Sequence, residues 1–254
     1  MTIRAVLAVL GLSSFINVSA GENTMPADTT LKFCEDPWPP YTYGEMGKTP
    51  TGGYAVTFLN EISKRTNLSI DMKLFPWKRC LFMAEKGNMD GVMLLTSSEE
   101  RAGYLEFTRP LMSDNNLAWF KKGLQLKGSW ASFEELKPYR IGVTAGFNYG
   151  DKFNKAKKRY QLKTDEANDI IANFNKLALE RIDIFFVNLA AANDALKEFP
   201  ELRAQVTYTD GLFEKVPFYI GFSKQSPAKK YLPDFNKAID SMIKDGTIER
   251  ILNN

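Results

Sequence analysis

Asp90-Gly-Val-Met-Leu-Leu-Thr-Ser-Ser-Glu-Glu-Arg-Ala-Gly-Tyr-Leu-Glu-Phe-Thr-Arg-Pro110 reads as a buried strand that runs straight into a polar loop ending in an arginine. The uninterrupted apolar run from Val92 to Leu95 suits a central parallel strand covered on both faces. Ligands of open α/β sheets bind beyond the carboxyl ends of such strands, and Leu95, Thr96, Ser97, Ser98 and Arg101 stand at that end. Hydroxyls beside a forked guanidinium match a small carboxylate, because arginine can donate two parallel charge-assisted hydrogen bonds. The same loop also reads as an ordinary helix cap ahead of Glu99. Local chemistry leaves both readings open.

The elements on either side fit one plan. Leu31 to Cys34 reads as a first strand, followed by the turn-rich Asp36-Pro-Trp-Pro-Pro-Tyr41. Gly52-Gly53 opens a helix on which Val56, Leu59 and Ile62 recur at helical spacing, with Phe58 beside them. Leu68, Ile70, Met72 and Leu74 alternate as in a strand. Trp77, Leu81 and Ala84 restore the helical spacing until Gly87, and the Val92 to Leu95 strand follows. Strand, helix, strand, helix, strand is a parallel α/β unit.

The second half repeats the plan. Ser132-Phe-Glu-Glu135 reads as a capping box, Arg140 to Val143 as a strand, and Ala145-Gly-Phe-Asn148 as the turn into another helix. Phe174, Leu177 and Ala178 lie on a helix that leads into Ile182-Asp-Ile-Phe-Phe-Val187, so Asp90 and Asp183 become turn residues ahead of equivalent strands. The fold class is therefore α/β, with two doubly wound lobes. Ser113-Asp-Asn-Asn116 and Thr209-Asp-Gly211, which flank the extended runs Leu117 to Lys121 and Phe218 to Phe222, read as a two-stranded hinge. Phe235, Ala238, Ile239, Met242 and Ile243 make an amphipathic C-terminal helix broken at Asp245-Gly246 and assigned to the first lobe. The first lobe is thus discontinuous, residues 21–114 and 212–254, and the second is residues 115–211.

Arg4 ahead of the apolar Ala5 to Leu12, with Val18-Ser19-Ala20 as a peptidase site, makes residues 1–20 a cleavable secretory leader. A free, soluble periplasmic protein starting near Gly21 is expected. Two cysteines in an exported chain predict a Cys34–Cys80 disulfide, two buried thiols being the alternative. With two cysteines and no histidine there is no usual zinc ligand set, and neither metal nor cofactor is expected. The lack of histidine also removes the usual general base of Ser, Cys and Thr hydrolases. The formal net charge of +3 is spread along the chain without a basic block, which argues against a nucleic-acid partner.

Over nearly its whole mature length the chain resembles the type II periplasmic solute-binding proteins of the polar amino-acid transport class, the family 3 extracellular solute-binding proteins. The resemblance rests on Pro39-Pro40-Tyr41, the helix start from Gly53 to Leu59, Gly87-Asn-Met-Asp90, Thr96 to Arg101 with Phe107-Thr-Arg-Pro110, Gly142-Val-Thr-Ala-Gly146, and Ile182-Asp183. It implies a monomer that closes two lobes around an amino acid or related organic acid and delivers it to an ABC transporter permease. The ligand carboxylate would lie on Arg101, helped by Thr96 and backbone donors near Leu95. Trp38 and Trp77 would form apolar walls, and Gly146, Phe147 and Asn148 would aim amides at an anion. Beside the resemblance, Tyr41 reads as a further wall residue rather than a hydrogen-bonding one, and Arg79, a charged helix residue, reads as either solvated or turned inward. One position departs from the pattern. Where amino-acid binders of this family carry an aspartate for the ligand ammonium, this chain has Asn188, which leaves open an amine-free carboxylate or an ammonium met by Glu35 or Asp36. A dehydratase on the same fold, resembling cyclohexadienyl dehydratase, and an unfused ligand-sensing module are the alternatives.

Overall fold

The computed structural model describes residues 30–127, 130–210 and 212–253. The expected leader, its cleavage point and Gly211 lie outside the described residues. From the N-terminal side the chain forms β1 (Thr30–Glu35), α1 (Tyr54–Thr66), β2 (Ser69–Leu74), α2 (Trp77–Glu85), β3 (Gly91–Thr96), α3 (Glu99–Tyr104), β4 (Leu105–Phe107) and β5 (Met112–Asp114). It then crosses to β6 (Leu117–Lys121), β7 (Arg140–Thr144), α4 (Gly150–Tyr160), β8 (Lys163–Ala167), α5 (Ile170–Ala178), β9 (Ile184–Val187), α6 (Leu189–Leu196), α7 (Pro200–Gln205) and β10 (Val206–Thr209). A second crossing returns it to β11 (Val216–Ser223), α8 (Leu232–Lys244) and α9 (Thr247–Leu252).

Two mixed sheets result, and they share one topology. The first has the order β2-β1-β3-β11-β4, with β5 also on β11; the second has the order β10-β6-β9-β7-β8. In each, three parallel strands run in the spatial order second, first, third: β2-β1-β3 in one sheet and β8-β7-β9 in the other. An antiparallel strand next to the third is supplied by the chain arriving from the opposite lobe, β11 on β3 and β6 on β9. The extended runs beside the crossings therefore belong to the two sheets. Asn115 Nδ2 donates to Asp210 Oδ1 at 3.0 Å and ties one crossing segment to the other.

The repeat reaches single hydrogen bonds. Asp90 accepts from the Lys32 amide at 2.7 Å and its own amide donates to the Lys32 carbonyl at 2.8 Å. Asp183 does the same with Arg140, at 2.7 Å and 2.8 Å. Both aspartates thus lock the start of the third strand to the start of the first, a structural role that matches their reading as turn residues.

All six residues of β3 are buried, as are all four of β9, because helices cover both faces of these central strands. In the first lobe Phe33, Phe222 and Phe235 pack with ring centroids 4.8–5.8 Å apart, so α8 seals the sheet's outer face. Arg65 on α1 holds Asp245 at 2.8 Å and Ser241 at 2.7 Å, which fastens the C-terminal helices to the first lobe. Gly246, at φ +71°, breaks that segment between α8 and α9 where the sequence placed the break. The Cys34–Cys80 disulfide is formed and joins β1 to α2.

One local expectation is corrected. Residues 133–136 form a 3-10 turn, and Ser132 makes no side-chain cap. The Glu135 carboxylate instead reaches the Trp130 and Ala131 amides at 3.0 and 3.1 Å, while the Glu135 amide that a capping box would use donates to the Ser132 carbonyl at 3.3 Å. Among the described residues, no helix is long and apolar enough to cross a membrane.

Candidate functional site

The order second-first-third creates a switch point between the first and third strands of each sheet, and crevices open at the carboxyl ends there. The two switch points face one another. Glu35 ends β1 and Asp36 follows it, Thr96 ends β3, Thr144 ends β7 and Ala145 to Asn148 follow it, and Asn188 follows β9. Glu35, Asp36, Thr96, Phe147, Asn148 and Asn188 from these ends line one space of about 600 Å³, counting the part open to solvent.

Arg101 lies on this wall, nine-tenths buried and reached by both lobes. Its Nη1 donates to the Thr96 carbonyl at 2.8 Å and the Thr96 hydroxyl at 3.2 Å, while Nη2 donates to the Gly146 carbonyl of the second lobe at 3.3 Å. The guanidinium carbon sits 5.4 Å from the Trp77 ring centroid, a cation–π placement. Burial pulls the guanidinium below its ordinary value, yet arginine keeps its charge in proteins. Ser98 caps α3 by accepting from the Arg101 amide at 3.1 Å. The helix-cap reading of the opening loop holds, and the same cap fixes the backbone that carries the guanidinium to the cavity wall.

Trp38, Trp77, Leu95, Thr96, Phe147, Asn148 and Asn188 line the same cavity. Trp38 packs at a tilt on Tyr41, with ring centroids 4.2 Å apart, and meets Phe147 at 5.6 Å, so its indole closes the gap between the lobes. Trp77 donates from its indole nitrogen to the Gly146 carbonyl at 2.8 Å. Asn148 donates across the cleft to the Thr96 hydroxyl at 3.0 Å and the Ser97 carbonyl at 2.9 Å.

Three expectations change. Arg79 lies on the exposed face of α2 with its guanidinium over Phe75, outside the cavity. Two residues along a helix is a turn of about 200°, so once Trp77 faces the cleft Arg79 must point away. Tyr41 is fully buried behind the wall and is a hydrogen-bonding residue: its hydroxyl faces Asp114 Oδ2 at 2.8 Å and Asn188 Oδ1 at 3.1 Å. The tight turn that returns the Tyr41 and Thr42 amides to the Trp38 carbonyl folds its ring beneath the indole. The Phe147 amide closes a turn onto the Thr144 carbonyl at 3.1 Å, and α4 begins only at Gly150, so this turn offers Arg101 a carbonyl.

The carboxylates were less visible in sequence. Glu35 is essentially inaccessible: Oε2 accepts from the Leu94 amide at 2.8 Å, and Oε1 has no hydrogen-bond partner among the described residues. Asp36 and Asp114 join it on the wall. Burial, with the Asp36 charge next to it, pushes Glu35 well above the ordinary carboxylate range, and burial raises Asp36 to about 7. Asn188 Oδ1 is already spent, capping α6 through the Ala191 amide at 2.9 Å and meeting Tyr41. What Asn188 has left for the cavity is an N–H donor, which cannot meet an ammonium. Asp114, Asn115, Asn116, Val216 and Phe218 also line the cavity and were not picked from sequence as contacts. Their signal was their place in the crossing segments, since whatever joins two lobes borders the space between them.

The model for bacterial extracellular solute-binding proteins, family 3, matches residues 31–254. The chain belongs to that family. Among curated proteins it is 23% identical over 257 residues to the "Probable amino-acid-binding protein YxeM" of Bacillus subtilis strain 168, covering 99% of this chain and 91% of that one. An ancestral arginine-binding protein bound to arginine superposes with a TM-score of 0.74 at 23% identity, over 90% of this chain and 98% of its own. The substrate-binding protein of an amino acid ABC transporter superposes at 0.68 and 18% identity, over 89% and 98%. These structures share the two-lobe fold of this solute-binding protein.

Proposed function

We propose that this family 3 protein is an exported receptor for a basic α-amino acid, captured between the lobes by hinge closure and handed to an ABC transporter permease. The observation that carries the reading is the charge arrangement of the cavity, where one guanidinium, Arg101, shares the wall with Glu35, Asp36 and Asp114. A carboxylate belongs beside Arg101 and Thr96, and ammonium or guanidinium groups belong beside the acids, which outnumber the cation. The indole of Trp38 and the ring of Phe147 form an apolar wall for the methylene chain between those poles. Asn188 is no obstacle, because its missing charge is supplied from β1. The name of YxeM is in keeping with an amino-acid ligand, and that of the arginine-binding structure with a basic one. Residues 1–20 act as the leader, residues 21–114 with 212–254 form one lobe, and residues 115–211 form the other. No covalent step is required, so bound ligand leaves unaltered.

Native mass spectrometry of the protein purified from a periplasmic fraction, followed by a thermal-shift screen of amino and organic acids, tests the reading. L-Arginine, L-lysine or L-ornithine should raise the melting temperature and be recovered chemically unchanged. Stabilisation by dicarboxylates alone, or steady conversion of the ligand, would overturn it.

A further inference from the structure

Glu35 is the most deeply buried of the acids on this wall. It ends β1 directly after the disulfide-bonded Cys34, and its neighbour along the chain is a second acid, Asp36. One Glu35 oxygen is fixed by the Leu94 amide of β3; the other is buried without a partner among the described residues. An ionised carboxylate left that way is costly, and two adjacent carboxylates cannot both ionise cheaply out of water. Either a proton or a cation must complete the pair.

Among the described residues no cation is bonded to the pair. From α3 comes Arg101, whose charge favours an ionised Glu35 but whose guanidinium donors go to Thr96 and Gly146. From the first crossing comes Asp114, a further acid, engaged with Tyr41 and the Asn115 amide. From the turn after β1 comes Tyr41, held neutral by burial, and from the second lobe Tyr149, which burial pushes up to about 12. Phe147, Asn148 and Asn188 bring no titrating group. The raised values of Glu35 and Asp36 follow from the same geometry.

We infer that the Glu35–Asp36 pair carries one proton in the ligand-free protein and exchanges it for the ligand's cationic nitrogen on capture, making Glu35 the residue that selects for a cation. The inference rests on the basic amino-acid reading above. The proton passes to solvent as the N–H donors of the ligand take its place, so charge at the pair is conserved. Capture is therefore weaker in acid, and a neutral or anionic solute of the same size, which cannot replace the proton, is rejected.

Titration calorimetry with L-arginine, repeated in buffers of different ionisation enthalpy between about pH 5.5 and 8, counts the protons exchanged. About one proton should be released near pH 6 and almost none at the upper end, with affinity rising up to about tenfold per pH unit on the acid side. Glu35→Gln and Asp36→Asn, two variants in case one folds poorly, should each flatten the pH profile and abolish the release. L-Arginine binding with no proton release across the range would overturn the exchange and leave the ligand reading intact; release undiminished in both variants would place the proton elsewhere and overturn it too. No binding of L-arginine, L-lysine or L-ornithine at any pH would overturn the ligand reading and the inference with it.

Discussion

Arg101 does two jobs with one side chain, and a substitution can separate them. Its backbone amide belongs to the Ser98 cap, which any residue retains, while its guanidinium crosses to Gly146 and faces the cavity. Arg101→Ala should leave the ligand-free melting temperature within a few degrees and lower L-arginine affinity by roughly 30-fold or more, since truncating a buried charge-assisted contact costs about 2–5 kcal/mol. Unchanged affinity by calorimetry would sink the clamp. The acids predict a second effect. Glu35 and Asp36 are raised in the fold, so the stability they contribute is complete below the unfolded carboxylate range, and it is lost as pH rises through the folded values, about 7 for Asp36. The ligand-free melting temperature should therefore fall between about pH 5 and 8, and Glu35→Gln should remove part of that slope; a flat wild-type profile would contradict it. Such residues were legible where strand ends announce them, as with Thr96, Arg101, Trp38 and Asn148. Tyr41 and Arg79 were misread because spacing alone does not give the helix phase or the inward fold of a turn.

At the scale of elements, the disulfide ties the strand carrying Glu35 to the helix carrying Trp77. It closes a sequence separation of 46 residues, for which chain entropy gives about 4 kcal/mol. Cys34→Ser with Cys80→Ser should lower the melting temperature by roughly 8–16 °C for a chain of this size. A loss of one or two degrees would mean that packing of α2 on β1, through Cys80 and Ala84, already holds the site's base. Gly146 is the turn on the opposite lobe. At φ +74° it occupies backbone space that side chains seldom enter, and a Cβ there would stand 2.8 Å from the Trp77 ring. Gly146→Ala should weaken binding while sparing the stability of either lobe. Strands and helices were readable because β3 and β9 are unbroken apolar runs and α1 keeps its spacing. The partner of each crossing strand was not, since Leu117 to Lys121 and Phe218 to Phe222 look alike in sequence, and only long-range pairing distinguishes their sheets.

For the whole molecule, function lies in the balance between open and closed lobes, which a ligand shifts only by its preference for the closed form. Two kinds of contact bridge the lobes. Lys78–Glu166 at 2.9 Å, Lys152–Glu214 at 2.8 Å and Lys155–Glu99 at 3.7 Å are solvent-exposed pairs, which salt screens and which count for little. Asn148 to Thr96 and Ser97, and Trp77 to Gly146, are polar contacts at the cavity itself, where closure removes water. The second kind should govern affinity. Asn148→Ala deletes two bonds of about 0.5–1.5 kcal/mol each, so L-arginine should bind roughly 5- to 150-fold more weakly. The loss should lie in the dissociation rate, because bonds made on closure are absent at encounter. Lys78→Ala and Lys152→Ala, by contrast, should change affinity less than about threefold, and only at low salt. Stopped-flow dissociation and calorimetry at two ionic strengths distinguish the cases: a slower association rate in Asn148→Ala, or a greater loss in the lysine variants, would place the latch on the surface and not at the cavity.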